Sequence, residues 1–223
     1  MMKKKDLRIE RRRKRKEENK IFILKAAESV FAKKGYSFAT MDDIAGEAQF
    51  SKATLYQYFK SKGDIFFEII LKSLEEMNQE LRRIFEKSIK AEEKLKEIVR
   101  FTFNFFQEKE NISRIFLMEM KFMQKFFNII AERQKPAPND HEFIHLKNIN
   151  PKRKVWRDVV SQILTEGIES GEFRKMDVQD TAYVFTSLLH GFYFTKFWRK
   201  KKYNVEEYTN LIHGIFLEGI KKV

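Results

Sequence analysis

The sequence predicts an all-α fold of about nine helices, with a three-helix N-terminal unit that contains a helix-turn-helix, followed by a larger helical domain. Apolar residues recur at helical spacing, and no strand-like alternation persists along the chain. Glycine and proline are scarce, with eight and three copies in 223 residues. All three prolines fall between Pro136 and Pro151, where we expect a loop or a mobile lid.

The N-terminal unit is predicted from closely spaced helix start and stop signals. A first helix is expected over residues 17–34, with Gly35 as its left-handed C-cap. Thr40 and Asp43 form a capping-box pattern that begins a helix over 41–48. Ser51 begins the next helix, over 51–59. Because only Gln49, Phe50 and the capping residue Ser51 connect these two short helices, the segment has the helix-turn-helix arrangement.

The rest of the chain is predicted to be helical as well. Ser61 and Asp64 repeat the capping pattern and begin a long helix over 61–87. Further helices are expected over 91–108, 111–133, 153–170, 178–198 and 205–221.

The charge distribution favours a polyanionic partner. The formal net charge is +13, and residues 1–20 contain eleven basic and four acidic side chains. Residues 1–16 lack apolar periodicity, so we expect a basic disordered arm that can neutralise phosphates when it meets nucleic acid.

The sequence also excludes several classes of site. With no cysteine, it can form neither disulfides nor thiolate zinc sites. The longest uncharged stretch, between Asp180 and Lys196, has 15 residues and is too short for a membrane span. No export signal is evident, and we expect a cytoplasmic protein.

The helix after Ser51 has the residue types of a DNA-recognition helix. Leu55 and Phe59, four residues apart, form its apolar face. The polar and aromatic residues left to face DNA are Ser51, Lys52, Thr54, Tyr56 and Tyr58.

Residues 23–66 resemble the tetracycline-repressor family in the order and spacing of their motifs. The matching pieces are Ile23–Ala27, Phe31–Tyr36, Thr40–Ala45 and, most specifically, Ser51–Lys62. The resemblance implies that Thr40, Tyr56 and Lys62 hold phosphates. It further implies that Lys52, Thr54 and Gln57 reach base edges, although each of these residues could also be an ordinary solvated surface residue.

Two residues depart from the family pattern in the turn of this motif. Gln49 stands where the family usually has glycine, and a positive φ there would cost glutamine about 1 kcal/mol. Phe50 replaces a smaller apolar residue, so the turn is expected to pack differently.

The resemblance assigns residues 17–65 to DNA binding and 66–223 to ligand binding and dimerisation. Residues 101–127 contain eight Phe and three Met, most of which we expect to form core. The residues predicted to line a pocket for a small apolar effector are Phe105, Met118, Phe122, Phe126, His190 and Phe194. The last two helices, 178–198 and 205–221, are expected to form a homodimer interface.

The sequence therefore predicts a ligand-responsive repressor that binds a palindromic operator as a dimer, with no enzymatic activity and no cofactor or metal. A weakly specific architectural DNA-binding protein remains an alternative, as does an activator, or a regulator without a ligand, with the same fold. His141-Glu142-Phe143-Ile144-His145 matches the H-E-x-x-H zinc-protease pattern, which leaves a zinc hydrolase as a further alternative. No third zinc ligand is indicated by the sequence.

Overall fold

The computed structural model describes residues 4–118, 141–195 and 202–221, and it confirms the all-α fold class for them. Its first eight helices are α1 (Lys4–Lys34), α2 (Met41–Glu47), α3 (Lys52–Tyr56), α4 (Lys62–Phe85), α5 (Ala91–Glu108), α6 (Glu110–Met118), α7 (His141–Glu169) and α8 (Val178–Phe194). The last, α9, consists of an α-helix (Val205–Ile212), a π-helical segment (His213–Leu217) and a final turn (Glu218–Ile220). Within the described ranges, the only β pairing is one isolated bridge between Phe173 and Lys221.

The chain divides into two compact units, and the division runs through α4. Residues 1–72 and 111–146 form the first unit, and residues 73–110 and 147–223 form the second. Helix α4 is continuous, and its residues 62–72 belong to the first unit while its residues 73–85 belong to the second.

An aromatic cluster forms the centre of the first unit. The rings of Phe31 and Phe66 lie 5.6 Å apart, edge to face, and Tyr36 lies 4.8 Å from Phe66. Leu55 of α3 and Ile44 of α2 are fully buried. At about 25 cal/mol per Å² of apolar surface, burying such side chains is the main stabilisation of so small a unit.

In the second unit, α9 packs against α5 and α8 through Tyr208. This side chain is fully buried, with its ring 4.9 Å from those of Phe103 and Phe192. Its hydroxyl donates to the carbonyl of Leu189 at 3.2 Å, which satisfies the buried polar group. At the π-helical segment, His213 Nε2 lies 2.6 Å from Glu92 Oε1 of α5.

The prediction that residues 1–16 are disordered is wrong for residues 4–16, which form the N-terminal part of helix α1. This segment lacks glycine and proline, and most of its residues are Arg, Lys, Glu or Leu, all strong helix formers. The packed part of α1 supplies a nucleus, so each added residue gains a backbone hydrogen bond without a new nucleation cost. Apolar periodicity is therefore a poor guide here, since side chains 7–16 are all exposed.

The prediction of a loop up to Pro151 is also wrong from His141 onward, because α7 begins at His141 and includes Pro151. Proline removes one backbone hydrogen bond, the one to the carbonyl of Lys147. Both residues are exposed, so that carbonyl stays accessible to water. Ile149 and Trp156 are buried on either side, which holds the helix across the proline.

Candidate nucleic-acid interface and effector region

The N-terminus of α2 is held by a reciprocal capping box, as the sequence predicts. Thr40 Oγ1 accepts from the Asp43 backbone N–H, and Asp43 Oδ2 accepts from the Thr40 N–H, both at 3.1 Å. Hydrogen bonds from Lys34 and Thr40 hold the pKa of Asp43 below its usual value. The exposed Thr40 thereby has a fixed position at the start of the helix-turn-helix.

In the turn between α2 and α3, Gln49 adopts the left-handed backbone conformation, which is strained for a residue other than glycine. Gln49 has φ of 54°, and it is the only non-glycine residue with positive φ in the described ranges. The neighbouring Phe50 packs edge to face against Phe22 of α1, with 6.2 Å between ring centres. This contact anchors the turn on α1 despite the strained backbone.

Helix α3 separates a buried side from an exposed one. Leu55 and Phe59 are buried, whereas Ser51, Lys52, Tyr56 and Gln57 are exposed. Ser51 Oγ caps the helix by accepting from the Thr54 N–H at 3.1 Å. It also lies 2.8 Å from Thr54 Oγ1, which fixes the rotamer of that half-buried hydroxyl.

Besides Thr40, Ser51 and Thr54, three more of the predicted DNA contacts have protein partners. Lys52 Nζ lies 2.9 Å from Asp42 Oδ2, and this hydrogen bond and charge pair raise the pKa of Lys52. Tyr58 Oη accepts from Asn19 Nδ2 of α1 at 3.0 Å. Lys62 Nζ donates to the carbonyls of Tyr36, Ser37 and Ala39 at 2.9–3.2 Å.

Lys62 therefore fastens the loop between α1 and α2 to the start of α4. Three carbonyl acceptors match the three N–H groups of its ammonium. Its ammonium also lies 4.7 Å from the centre of the Tyr36 ring. The phosphate contact that the resemblance implies for Lys62 remains a prediction, and it would require at least one of these bonds to be exchanged.

Of the predicted effector contacts, the structure describes the surroundings of Phe105 and His190. Phe105 is buried, with its ring 5.6 Å from Phe101 and 5.5 Å from Phe106. Burial lowers the pKa of His190 to about 4, and the positive charge of Arg153 contributes, so this side chain is neutral at pH 7. Met118 and Phe194 are the last residues of α6 and α8, and the structure does not describe their side chains. Phe122 and Phe126 lie outside the described residues.

Trp156 is not among the residues that the sequence predicts to line the pocket, yet it lies beside His190. The two rings are 6.0 Å apart, and Trp156 is buried with no hydrogen-bond partner for its indole N–H among the described residues. An unpaired buried donor costs roughly 1–3 kcal/mol. A tryptophan among the apolar positions of α7 was the available signal, but sequence alone does not tell whether its N–H is paired.

A separate cleft of about 550 Å³ lies in the second unit, lined by residues of α4, α7 and α8 that include Phe85, Ser161 and Val178. Most of its other lining residues are charged or polar, so it differs from the apolar pocket that the sequence predicts. Within the part of the chain that the structure describes, the buried hydroxyl of Ser161 also lacks a hydrogen-bond partner.

The last two helices expose apolar residues next to small ones. Tyr183 and Val184 of α8 and Ile215 of α9 are 56–64% exposed. A Cβ built on Gly191 or Gly214 would meet no atom of the described residues within 4 Å, so both glycines leave room for a close approach. Exposed apolar surface of this kind marks interaction sites more often than ordinary solvated surface.

The zinc-protease pattern lies at the start of α7, where His141 and His145 are one helical turn apart. Among the side chains that the structure describes, no group of three or more His, Asp or Glu residues is arranged to hold a metal ion. Nor does any described helix combine the length and hydropathy required to cross a membrane.

Comparison with known proteins identifies two family models in the chain. Residues 23–69 match the bacterial regulatory proteins of the tetR family, and residues 141–222 match the C-terminal region of QacR-like proteins. A fatty acid metabolism regulator protein of Bacillus subtilis is 24% identical over 199 residues, which cover 89% of this chain and 93% of the relative.

Two solved structures of transcriptional regulators have similar folds. The tetR family regulator PfmR of Thermus thermophilus superimposes with a TM-score of 0.69 and 26% identity, covering 90% of this chain and 99% of that one. The regulator FadR of Bacillus subtilis in complex with stearoyl-CoA gives a TM-score of 0.71 and 22% identity, with 90% and 98% covered. The two family models together match more than half of the chain, and with the helix-turn-helix geometry described above they show that it belongs to the tetR family of bacterial transcriptional regulators.

Proposed function

We propose that this regulator represses transcription by binding a near-palindromic operator as a homodimer, and that a fatty acyl compound releases it from DNA. The observation that carries the first part is the division of α3 into a buried side with Leu55 and an exposed side with Lys52 and Tyr56. An exposed polar helix of this kind fits the major groove, which presents a distinct pattern of donors and acceptors for each base pair.

Dimerisation follows from the exposed apolar residues of α8 and α9. On α8, Val184, Ser187 and Gly191 follow one another at helical spacing and share one side. Together with Ile215 of α9, they offer a surface that a second copy of the chain can cover with the same residues in a two-fold arrangement. Two recognition helices related in this way would read half-sites about 34–36 Å apart.

The effector class is inferred from the relatives and from the residue types of this chain. The Bacillus subtilis relative is a fatty acid metabolism regulator, and the FadR structure contains stearoyl-CoA. In this chain, the many Phe and Met residues of 101–127 are suited to an acyl chain. The unpaired indole N–H of Trp156 could donate to a carbonyl oxygen of such a ligand.

The experiment begins by selecting binding sites for the full-length protein from a random pool of DNA duplexes. A specific regulator should bind the selected duplex at least about 10³-fold more tightly than a scrambled duplex at physiological salt. A ratio close to one would instead support a weakly specific architectural protein.

The selected duplex then serves to test the effector. Stearoyl-CoA should weaken operator binding, because a ligand acts through its differential affinity for the two conformations. Free CoA and stearate are the matched controls for the two halves of the molecule. Release by free CoA alone, or no release by any of the three, would refute the acyl assignment but not the DNA-binding function.

A further inference from the structure

The N-terminal part of α1 carries arginines on the side that faces the end of α3. Arg8, Arg12, Arg15 and Asn19 follow one another at intervals of four, three and four residues, so they share one side of the helix. Asn19 ends the series, and its Nδ2 donates to Tyr58 Oη at 3.0 Å, two residues beyond the end of α3. The three arginines thus continue the side of α1 that contacts the recognition segment.

The other side of this helical extension has a different charge. Glu10 and Glu17, seven residues apart, lie roughly opposite the arginines. All side chains from residue 7 to residue 16 are exposed. The positive charge is therefore concentrated towards α3, although Arg13 and Lys14 lie on other sides.

We propose that this arginine face, formed by Arg8, Arg12 and Arg15, binds backbone phosphates of the duplex next to the half-site that α3 reads. The proposal rests on the DNA-binding function proposed above and assigns it a second contact surface. A guanidinium is suited to the role because its planar donors bind phosphate oxygens in pairs. Such contacts position a protein on DNA without reading sequence.

The length of the extension sets how much DNA the arginine face can reach. Arg8 precedes Asn19 by eleven residues, which is about 16 Å along an α-helix at 1.5 Å per residue. At about 3.4 Å per base pair, that reach corresponds to at most about five base pairs beyond the half-site.

A nucleic acid fits this surface better than a membrane. A helix that lies on a lipid surface needs one continuous apolar side. The two apolar residues of the exposed extension, Leu7 and Ile9, are two positions apart and therefore on nearly opposite sides.

The test compares two double variants that remove the same charge. Arg12→Gln with Arg15→Gln removes two members of the arginine face, whereas Arg13→Gln with Lys14→Gln removes two cations from other sides. Affinity is measured against salt for the selected operator with five base pairs of flanking duplex on each side, and for a scrambled duplex of equal length. The scrambled duplex keeps the test valid even if no specific operator exists, because phosphate contacts do not depend on sequence.

We expect the arginine-face pair to weaken binding to both duplexes about tenfold or more at 150 mM salt. The slope of log affinity against log salt should shrink by about 0.9 per lost contact, or about 3.6 for four contacts in a dimer. On an operator without flanks, wild type and variant should bind alike. Equal losses of affinity for the two double variants would overturn the proposal, since binding would then depend on the amount of positive charge and not on the side of α1 that carries it.

A third variant separates a helical arm from a disordered one. Glu17→Pro removes a negative charge and breaks the helix before residue 17, while proline is tolerated as the first residue of the remaining α1. If the arm acts as a disordered polycation, this variant should bind DNA as tightly as wild type or more tightly. If binding requires the ordered arginine face, the variant should bind the flanked duplexes about tenfold more weakly, and circular dichroism should report the lost helical turns. Unchanged or tighter binding would overturn the proposal.

Discussion

The ammonium of Lys52 at the start of α3 lies 2.9 Å from the carboxylate of Asp42 at the start of α2. Both side chains are more than half exposed, so the pair adds little to stability. Its effect should appear on DNA, where Asp42 competes with bases and phosphates for the Lys52 ammonium.

We therefore expect Asp42→Asn to tighten binding to operator and scrambled duplexes alike, by a few-fold, with an unchanged melting temperature. Glu47→Gln is the matched control, since Glu47 is also in α2 but pairs with Lys33. Salt titrations of both variants check the prediction. If Asp42→Asn binds more weakly than wild type, the carboxylate positions Lys52 for its contact instead of competing for it.

The predicted division of roles in α3 can be tested with single-base variants of the operator. Lys52→Ala or Thr54→Ala should change the preferred base at one position, with a loss of about 1–3 kcal/mol of discrimination. Tyr56→Phe should weaken binding uniformly, because it removes only a phosphate hydrogen bond. A change of base preference in Tyr56→Phe with none in the other two would reverse the assignments.

The turn at Gln49 gives a prediction about stability. With φ of 54°, Gln49 occupies the left-handed region that glycine adopts without steric cost. Gln49→Gly should raise the free energy of unfolding by up to about 1 kcal/mol. Gln57→Gly is the control, because Gln57 has an ordinary φ of −72° and the glycine should destabilise there. A lower melting temperature for Gln49→Gly would show that its side chain makes a compensating contact.

The sequence was informative wherever a local signal determines the backbone. The cap at Thr40 and the left-handed glycine at Gly35 are both confirmed, because each depends on residues close in the chain. The helix through Pro151 could not be predicted, since it depends on the burial of Ile149 and Trp156 on either side. Nor could the carbonyl partners of Lys62, which come from residues 23–26 positions earlier.

The proposed dimer surface predicts the effect of a buried charge. Ile215→Asp should give a folded monomer, because the carboxylate would lose its hydration in the interface. Operator affinity should fall by at least about 100-fold, since the two half-sites would no longer be bound together. Asn210→Asp is the control, because Asn210 is exposed on a different side of α9. Sedimentation measures the oligomeric state, and a dimeric Ile215→Asp protein would place the interface elsewhere.

The indole of Trp156 allows the effector contact to be tested apart from the fold. Trp156→Phe removes an N–H that has no partner in the described structure, so the effector-free protein should be as stable as wild type, or more stable by up to about 1 kcal/mol. Ser161→Ala is the matched control, because it removes a second buried polar side-chain atom that has no partner in the described ranges, this one from the polar cleft. If the indole N–H donates to the carbonyl of an acyl effector, Trp156→Phe should require about tenfold more stearoyl-CoA for release from the operator, which is about 1.4 kcal/mol. Ser161→Ala should respond like wild type.

Operator affinity as a function of stearoyl-CoA concentration measures the response of wild type and of both variants, with thermal unfolding in parallel. An equal response in all three proteins would remove Trp156 from the effector site, while weakened release in both variants would point to a general change in the packing of α7.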